Sequence, residues 1–123
     1  MAHPRRYDDD DPVLGRLREV ALAFPEAVEI ESHGRPTFRA GKVFAVYGSR
    51  DDRSDLVFKP APGERDALVH ERRMSIPPYY GPSGWLAFSL DGDVDWEEVR
   101  ELLEDSYRQV ALKRMLTALD ARA

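Results

Sequence analysis

The chain has no cysteine among its 123 residues. That absence removes disulfides, thiolate nucleophiles, cysteine-ligated zinc and iron–sulfur clusters. Histidine is scarce: His3, His33 and His70 lie far apart, with no i, i+4 pair, so a histidine-built metal site is not expected. No apolar run approaches the roughly 20 residues that span a bilayer. The opening MAHPRRYDDDDP lacks the apolar stretch of a secretory signal. Also missing are the Walker A pattern, G-x-G-x-x-G and G-x-S-x-G, and no serine is marked as activated. The expectation is a soluble, cytoplasmic protein, not an enzyme, with no catalytic residues, metal or cofactor. No apolar stripe is left over beyond the core, so a monomer is expected.

What is present suits one folded domain. Hydrophobic residues make up 42% of the chain, close to the globular average, and the length matches a single domain of about 100–150 residues. Residues 1–11 read as an acidic N-terminal tail, with Asp8 to Asp11 solvated, and 12–123 as the domain. The net charge of −5 argues against indiscriminate polyanion binding. The charge is segregated, however. A basic middle, residues 33–73, is flanked by acidic segments, and residues 91–105 hold eight carboxylates against the single cation Arg100. Only folding could gather the basic middle into a patch.

Periodicity gives the elements. Asp11 as N-cap and Pro12 at the first helical position open a helix whose apolar face is Val13, Leu14, Leu17, Val20, Ala21 and Phe24; Pro25 stops it. Val28 and Ile30 alternate with Glu29 and Glu31 as a strand, and Ser32 to Pro36 is a turn in which His33 serves as a hydrogen-bonder. Thr37–Arg39 and Lys42–Tyr47 read as a tight hairpin about Ala40-Gly41, Gly48–Asp55 as a polar loop, and Leu56–Lys59 as a strand. Residues 63–72 form a weak helix, Ile76–Gly84 is irregular, and Trp85–Leu90 is a strand. A helix capped by Asp95 and Glu98 follows. The second capping-box pattern, Ser106 with Gln109, predicts a break near Asp105 and Ser106. The order predicts an α+β fold: an antiparallel β-sheet with helices packed on one face.

Alternation also predicts which face stays open. A two-residue loop would make Arg39 and Lys42 neighbours on one face, with Thr37, Phe44 and Val46. The richer apolar set, Phe38, Leu56, Phe58, Leu86, Phe88 and Leu90, goes under the helices. Arg39, Lys42, Phe44, Lys59 and Trp85 are then expected on the outer face. Cations that pair with phosphates beside aromatics that stack on bases suit nucleic acid. Two alternatives stay open: a loop such as 72–84 covers Phe44 or Trp85, or a bulge at Ala40-Gly41 exchanges the faces. The carboxylates Asp91, Asp93, Asp95, Glu97 and Glu98 lack the spacing of a calcium loop and read as charge compensation at a helix start.

Four segments in order carry a family resemblance. His33-Gly34-Arg35-Pro36-Thr37-Phe38-Arg39 followed by Gly41-Lys42-Val43-Phe44-Ala45 is similar to the "G-x-P-T-F-x-x-x-x-K-x-F-A" stretch of the MmcQ/YjbR family. Leu56-Val57-Phe58-Lys59, then Tyr79-Tyr80-Gly81 with Gly84-Trp85-Leu86, resembles its middle, and Ser106-Tyr107-Arg108-Gln109-Val110-Ala111 resembles its closing segment. The resemblance implies a CyaY-like fold and DNA binding without catalysis, with the sheet hairpins as a double wing on double-stranded DNA. It carries over Arg35, Arg39, Lys42 and Lys59 as phosphate contacts, and Trp85 as the family's aromatic position. The alternative expectation is a protein or ligand adaptor, or a frataxin-like cation binder, that uses the acidic helix from Asp95 to Asp105.

Overall fold

The computed structural model describes residues 4–50 and 52–122, so His3 lies outside the described residues. Six antiparallel strands form one open sheet, with the helices against one face. In chain order the elements are α1 (Pro12–Ala21), β1 (Val28–Ser32), β2 (Arg35–Ala40), β3 (Lys42–Arg50), β4 (Arg53–Phe58), α2 (Arg65–Leu68), β5 (Met74–Ser75), β6 (Leu86–Ser89), α3 (Trp96–Val110) and α4 (Lys113–Asp120). The strand order is β1-β2-β3-β4-β6-β5. This is the expected α+β architecture. Among the described residues no helix is long and apolar enough to cross a membrane.

Local chemistry explains the elements. Asp11 caps α1 by accepting from the Val13 amide at 2.9 Å, and its other carboxylate oxygen receives the buried Tyr47 hydroxyl. The cap thus ties α1 to the sheet centre. His33 and Gly34 both take positive φ between Ser32 and Arg35, the pattern of a type I′ hairpin turn. The N-terminal segment returns over that turn: the Arg6 amide donates to the Gly34 carbonyl at 2.8 Å, and Tyr7 donates to Glu31.

The segment expected to be a polar loop, Gly48–Asp55, belongs mostly to β3 and β4. Gly48 pairs with Asp55, Ser49 with Ser54 and Arg50 with Arg53. Backbone pairing continues there because ladder hydrogen bonds do not require apolar side chains. The expected helix break also moves. α3 runs unbroken through Ser106 to Val110, and the chain turns at Ala111 and Leu112. Ser106 does not cap a helix: it is fully buried and donates its hydroxyl to the Phe44 carbonyl at 2.6 Å.

The core lies between the sheet and the helices. Leu14 and Leu17 of α1 and Val99, Leu102, Leu103 and Tyr107 of α3 meet Phe38, Phe44, Tyr47, Leu56, Phe58, Leu86 and Phe88. Fully burying each such side chain contributes about 1.5–3 kcal/mol.

Candidate nucleic-acid interface

The register defines the face away from the helices. One row of partners crosses the whole sheet: Ile30, Thr37, Val46, Val57, Ala87 and Ser75. Val46, Val57 and Ala87 form a small apolar cluster with Val43, Tyr80 and Trp85, separate from the main core. Tyr80 comes from the irregular segment before β6, and its ring lies 5.2 Å from that of Trp85. That segment therefore covers part of the outer face, and Trp85 is half-buried.

Basic side chains border this strip. Arg35 and Arg39 flank Thr37 along β2, at alternate positions on one face. Arg39 is anchored by donating to Thr37 at 3.3 Å, and Thr37 in turn donates to the Ile30 carbonyl. Lys59 and Trp85 each stand one residue beyond the Phe58–Leu86 pair. Both ends of the Lys59 backbone are held from below by α3. Its amide donates to Ser106 at 2.9 Å, and its carbonyl accepts from Gln109 at 3.0 Å.

Two expected members of the site are displaced, and one irregularity explains both. Phe38 pairs with Ala45 but Arg39 pairs with Val43, so β3 carries one extra residue, Phe44, as a β-bulge. The bulge turns Phe44 into the core, where it is fully buried. It meets Phe24 at 6.0 Å and Tyr107 at 5.4 Å between ring centroids. Phe44 therefore cannot stack on a ligand at the outer face. Lys42 pairs with Ala40 rather than Arg39, which puts it in register with the helix-side face; it is exposed at the hairpin tip. The loop is also shorter than expected. Gly41 alone separates that pair, at φ +81°, and a Cβ there would lie 3.0 Å from the Val110 carbonyl. The structure brings Arg35, Arg39, Lys59 and Trp85 together on one face, and leaves Phe44 and Lys42 off it.

Arg53 and Tyr80 were not anticipated. Arg53 shares the face through its i, i+2 relation to Asp55, which pairs with Gly48 and Ser89. It was hidden because its segment reads as a loop. The signal for Tyr80 was its proximity in sequence to Trp85 across a Gly-Pro-Ser-Gly turn.

Many cations on the helix side are paired: Arg18 holds Asp9 and Glu29, Arg100 holds Glu97 and Glu104, Arg108 holds Glu104 and Asp120, and Arg114 holds Glu26. Among the described residues, Arg35, Arg39, Lys42, Arg53 and Lys59 make no ion pair. Asp55 is the carboxylate of this face, and burial, reinforced by Asp91, raises its pKa above the ordinary value against the pull of Arg53 and Arg35. The β1 carboxylates Glu29 and Glu31 turn to the other side, toward Arg18 and Tyr7, which leaves Val28 and Ile30 outward, 50% and 45% exposed.

On the acidic helix, Arg108 and then Arg100 hold Glu104 below its ordinary pKa, and among the described residues no group of three or more His, Asp or Glu is gathered together.

A model of the YjbR family matches residues 22–109. A crystal structure of a protein from Pseudomonas syringae, a structural-genomics target, superposes with a TM-score of 0.66. It covers 78% of this chain and 97% of that chain, at 16% sequence identity, which is a likeness of fold. No curated protein matches the chain.

Proposed function

The chain belongs to the YjbR family, and from that premise we propose that it is a non-catalytic DNA-binding module that works through its outer sheet face and the hairpins bordering it. The observation that carries this reading is that Arg35, Arg39, Arg53 and Lys59 come together on the outer face and, among the described residues, make no ion pair there. A cation without an ion pair is available to neutralise a backbone phosphate, and release of the counterions condensed on the nucleic acid drives such binding. The clamp of Ser106 and Gln109 on the Lys59 backbone supports the same reading, because it fixes the point on the sheet from which that side chain extends.

The test is a titration of labelled oligonucleotides, single-stranded and duplex, at several salt concentrations. With about four phosphate contacts, log affinity falls against log salt with a slope near −3 to −4. Arg39→Glu and Lys59→Glu each flatten the slope by about one, while Arg114→Glu on the helix side leaves it unchanged. Absence of binding at low salt, or a slope indifferent to the outer-face variants, overturns the proposal.

A further inference from the structure

We infer that the groove between α1, α3 and α4 is a second binding site, for a carboxylate with an extended apolar body. It is independent of the DNA-binding reading, which concerns the opposite side of the sheet. The groove exists because α4 is held by bridges rather than by packing. Met115 alone is buried on α4. Arg114 reaches Glu26 at 2.9 Å, Arg108 reaches Asp120 at 2.7 Å, and Arg122 donates to the Ala23 carbonyl at 2.6 Å. Long side chains span the gap, and a cavity of about 560 Å³ remains between the three helices. That volume lies within the roughly 300–1,000 Å³ of small-molecule sites.

The two walls differ in chemistry. Val20 and Ala23, from α1 and the turn after it, and Leu119 of α4 line one side. Ala23 is exposed and Val20 and Leu119 are partly so, which gives the cavity an accessible apolar surface. Phe24 backs that side from the core, stacked on Tyr107 with 4.9 Å between ring centroids, so the wall is rigid. The α3 side is a ladder of paired charges that runs from Glu97 through Arg100, Glu104 and Arg108 to Asp120, with contacts of 2.7–3.0 Å. Every carboxylate of the ladder already has its guanidinium, so the wall holds no free anion for a cationic ligand. The arginine stems lay methylene groups along it.

The charge left over gathers at one end. Arg122 lines the groove and, among the described residues, makes no ion pair; its single bond, from Nη1 to the Ala23 carbonyl, leaves Nε and Nη2 unspent. Arg108 spends Nε on Glu104 and Nη2 on Asp120, which leaves Nη1. Both guanidiniums act on the Tyr107 hydroxyl: burial raises its pKa, Arg122 and Arg108 draw it back, and Glu26 opposes them. The two therefore stand at the same end of the groove. A carboxylate seated there accepts from both without breaking an existing pair. At the other end the Arg16 guanidinium is 5.8 Å from the centre of the Trp96 ring. Trp96 and Arg108 are twelve residues apart on α3, a distance of about 18 Å. An anion at Arg108 and Arg122 with an apolar chain running toward Trp96 meets each of these features.

The experiment is isothermal titration calorimetry on the full chain with laurate, dodecyltrimethylammonium and acetate, each below any micelle concentration. Laurate is expected to bind one to one and to raise the thermal midpoint. The cationic amphiphile, which lacks the anion, and acetate, which lacks the chain, are expected to bind about ten-fold more weakly or less. The chain holds two tryptophans, so Trp85→Phe leaves Trp96 as the sole reporter, and its emission should shift on addition of laurate. Arg122→Gln should weaken laurate binding about five- to ten-fold. That side chain is exposed beyond the end of α4, so the thermal midpoint of the free protein should not change. Ala23→Trp fills the groove from an exposed position and should abolish binding. Absence of laurate binding, binding of dodecyltrimethylammonium as tight as that of laurate, or laurate binding indifferent to Arg122→Gln and Ala23→Trp overturns the inference. None of these outcomes bears on the oligonucleotide titration, so the DNA-binding proposal stands or falls separately.

Discussion

Replacement of Ser106 by alanine tests whether α3 positions the sheet through a single hydroxyl. The Ser106 side chain is fully buried and sits in the middle of the helix, where serine has no intrinsic advantage. Its hydroxyl donates to the Phe44 carbonyl at 2.6 Å and accepts from the Lys59 amide at 2.9 Å. Both partners are backbone groups at irregular points of the sheet, the bulge of β3 and the end of β4, where the ladder offers no substitute. Alanine would leave one carbonyl and one amide unsatisfied in the interior, and each such orphan costs about 1–3 kcal/mol. The alanine methyl fills most of the serine volume, so the cavity contribution is small. The expected loss is about 2–6 kcal/mol, a large part of the ~5–15 kcal/mol by which a domain of this size is stable. Urea denaturation followed by far-ultraviolet circular dichroism measures it, with an unchanged m-value expected because the folded core persists. Thr117→Ala is the matched control: that hydroxyl donates to the Lys113 carbonyl on an exposed turn, and its loss should change stability by less than about 0.5 kcal/mol. A loss below about 0.5 kcal/mol for Ser106→Ala would show that water or a shifted backbone replaces both bonds, and the clamp on Lys59 would then have no mechanical meaning.

Other residues give further tests. Phe44→Ala should destabilise by about 3–5 kcal/mol, since it empties a buried site between Phe24 and Tyr107; a side chain on the open face would cost far less, and a small change in thermal midpoint would contradict the bulge. The Asp55 pKa is raised by burial and by Asp91, so its contribution to stability is full below the ordinary carboxylate value of 3.8 and is lost as pH rises through the folded value. Asp55→Asn should therefore be more stable than the parent at neutral pH, with the difference closing near pH 3, and should tighten oligonucleotide binding; lower stability at pH 7 would refute this. Tyr47 has its phenol pKa raised above 10, first by burial and then by its hydrogen bond to Asp11, and Tyr7 and Tyr107 are raised as well. The protein should hold its stability up to about pH 10 and lose it above that, with Tyr47→Phe flattening the decline; denaturation midpoints across the alkaline range check this.

Much of the architecture was legible because its signals are local. Asp11-Pro12 starts α1, Pro25 ends the apolar repeat, and the alternation in β2 and β6 places their side chains correctly, whereas in β1 it is the apolar Val28 and Ile30 that face away from the core. The failures came where a backbone decision is made elsewhere. Ser106 and Gln109 look like a cap in sequence, but they hydrogen-bond to Phe44, Lys59 and Pro60, residues 47 or more positions away. The β3 bulge is equally invisible to alternation. Phe44 is large and apolar, Val43 is smaller, and the core between Phe24 and Tyr107 takes the larger ring at the cost of one unpaired residue. That choice moved Phe44 and Lys42 off the site while Arg35, Arg39, Lys59 and Trp85 stayed on it, because they lie on strands that the bulge does not shift.

A net charge of −5 does not by itself contradict a cationic binding face; what decides is distance measured against screening. The exposed carboxylates of α3, Glu97, Glu101 and Asp105, belong to a helix packed on the opposite side of the sheet. A sheet-to-helix spacing of about 10 Å plus the radius of a helix places them about 15–20 Å from the outer face. At 0.15 M salt the Debye length is about 8 Å, so those charges are two lengths away and act weakly on a bound phosphate. At 0.01 M it is about 30 Å, and the whole protein is felt as an anion. The two regimes predict a curve that bends. Association rate constants should rise as salt is lowered toward about 0.05 M, when outer-face cations dominate, and then level off or fall below about 0.02 M. Neutralising α3 with Glu101→Gln and Asp105→Asn, which takes the net charge from −5 to −3, should lessen the bend without changing affinity at physiological salt. Stopped-flow association with a labelled dT8 reads both arms. A straight line for the parent chain down to 0.01 M would mean that the two faces are not electrically separate.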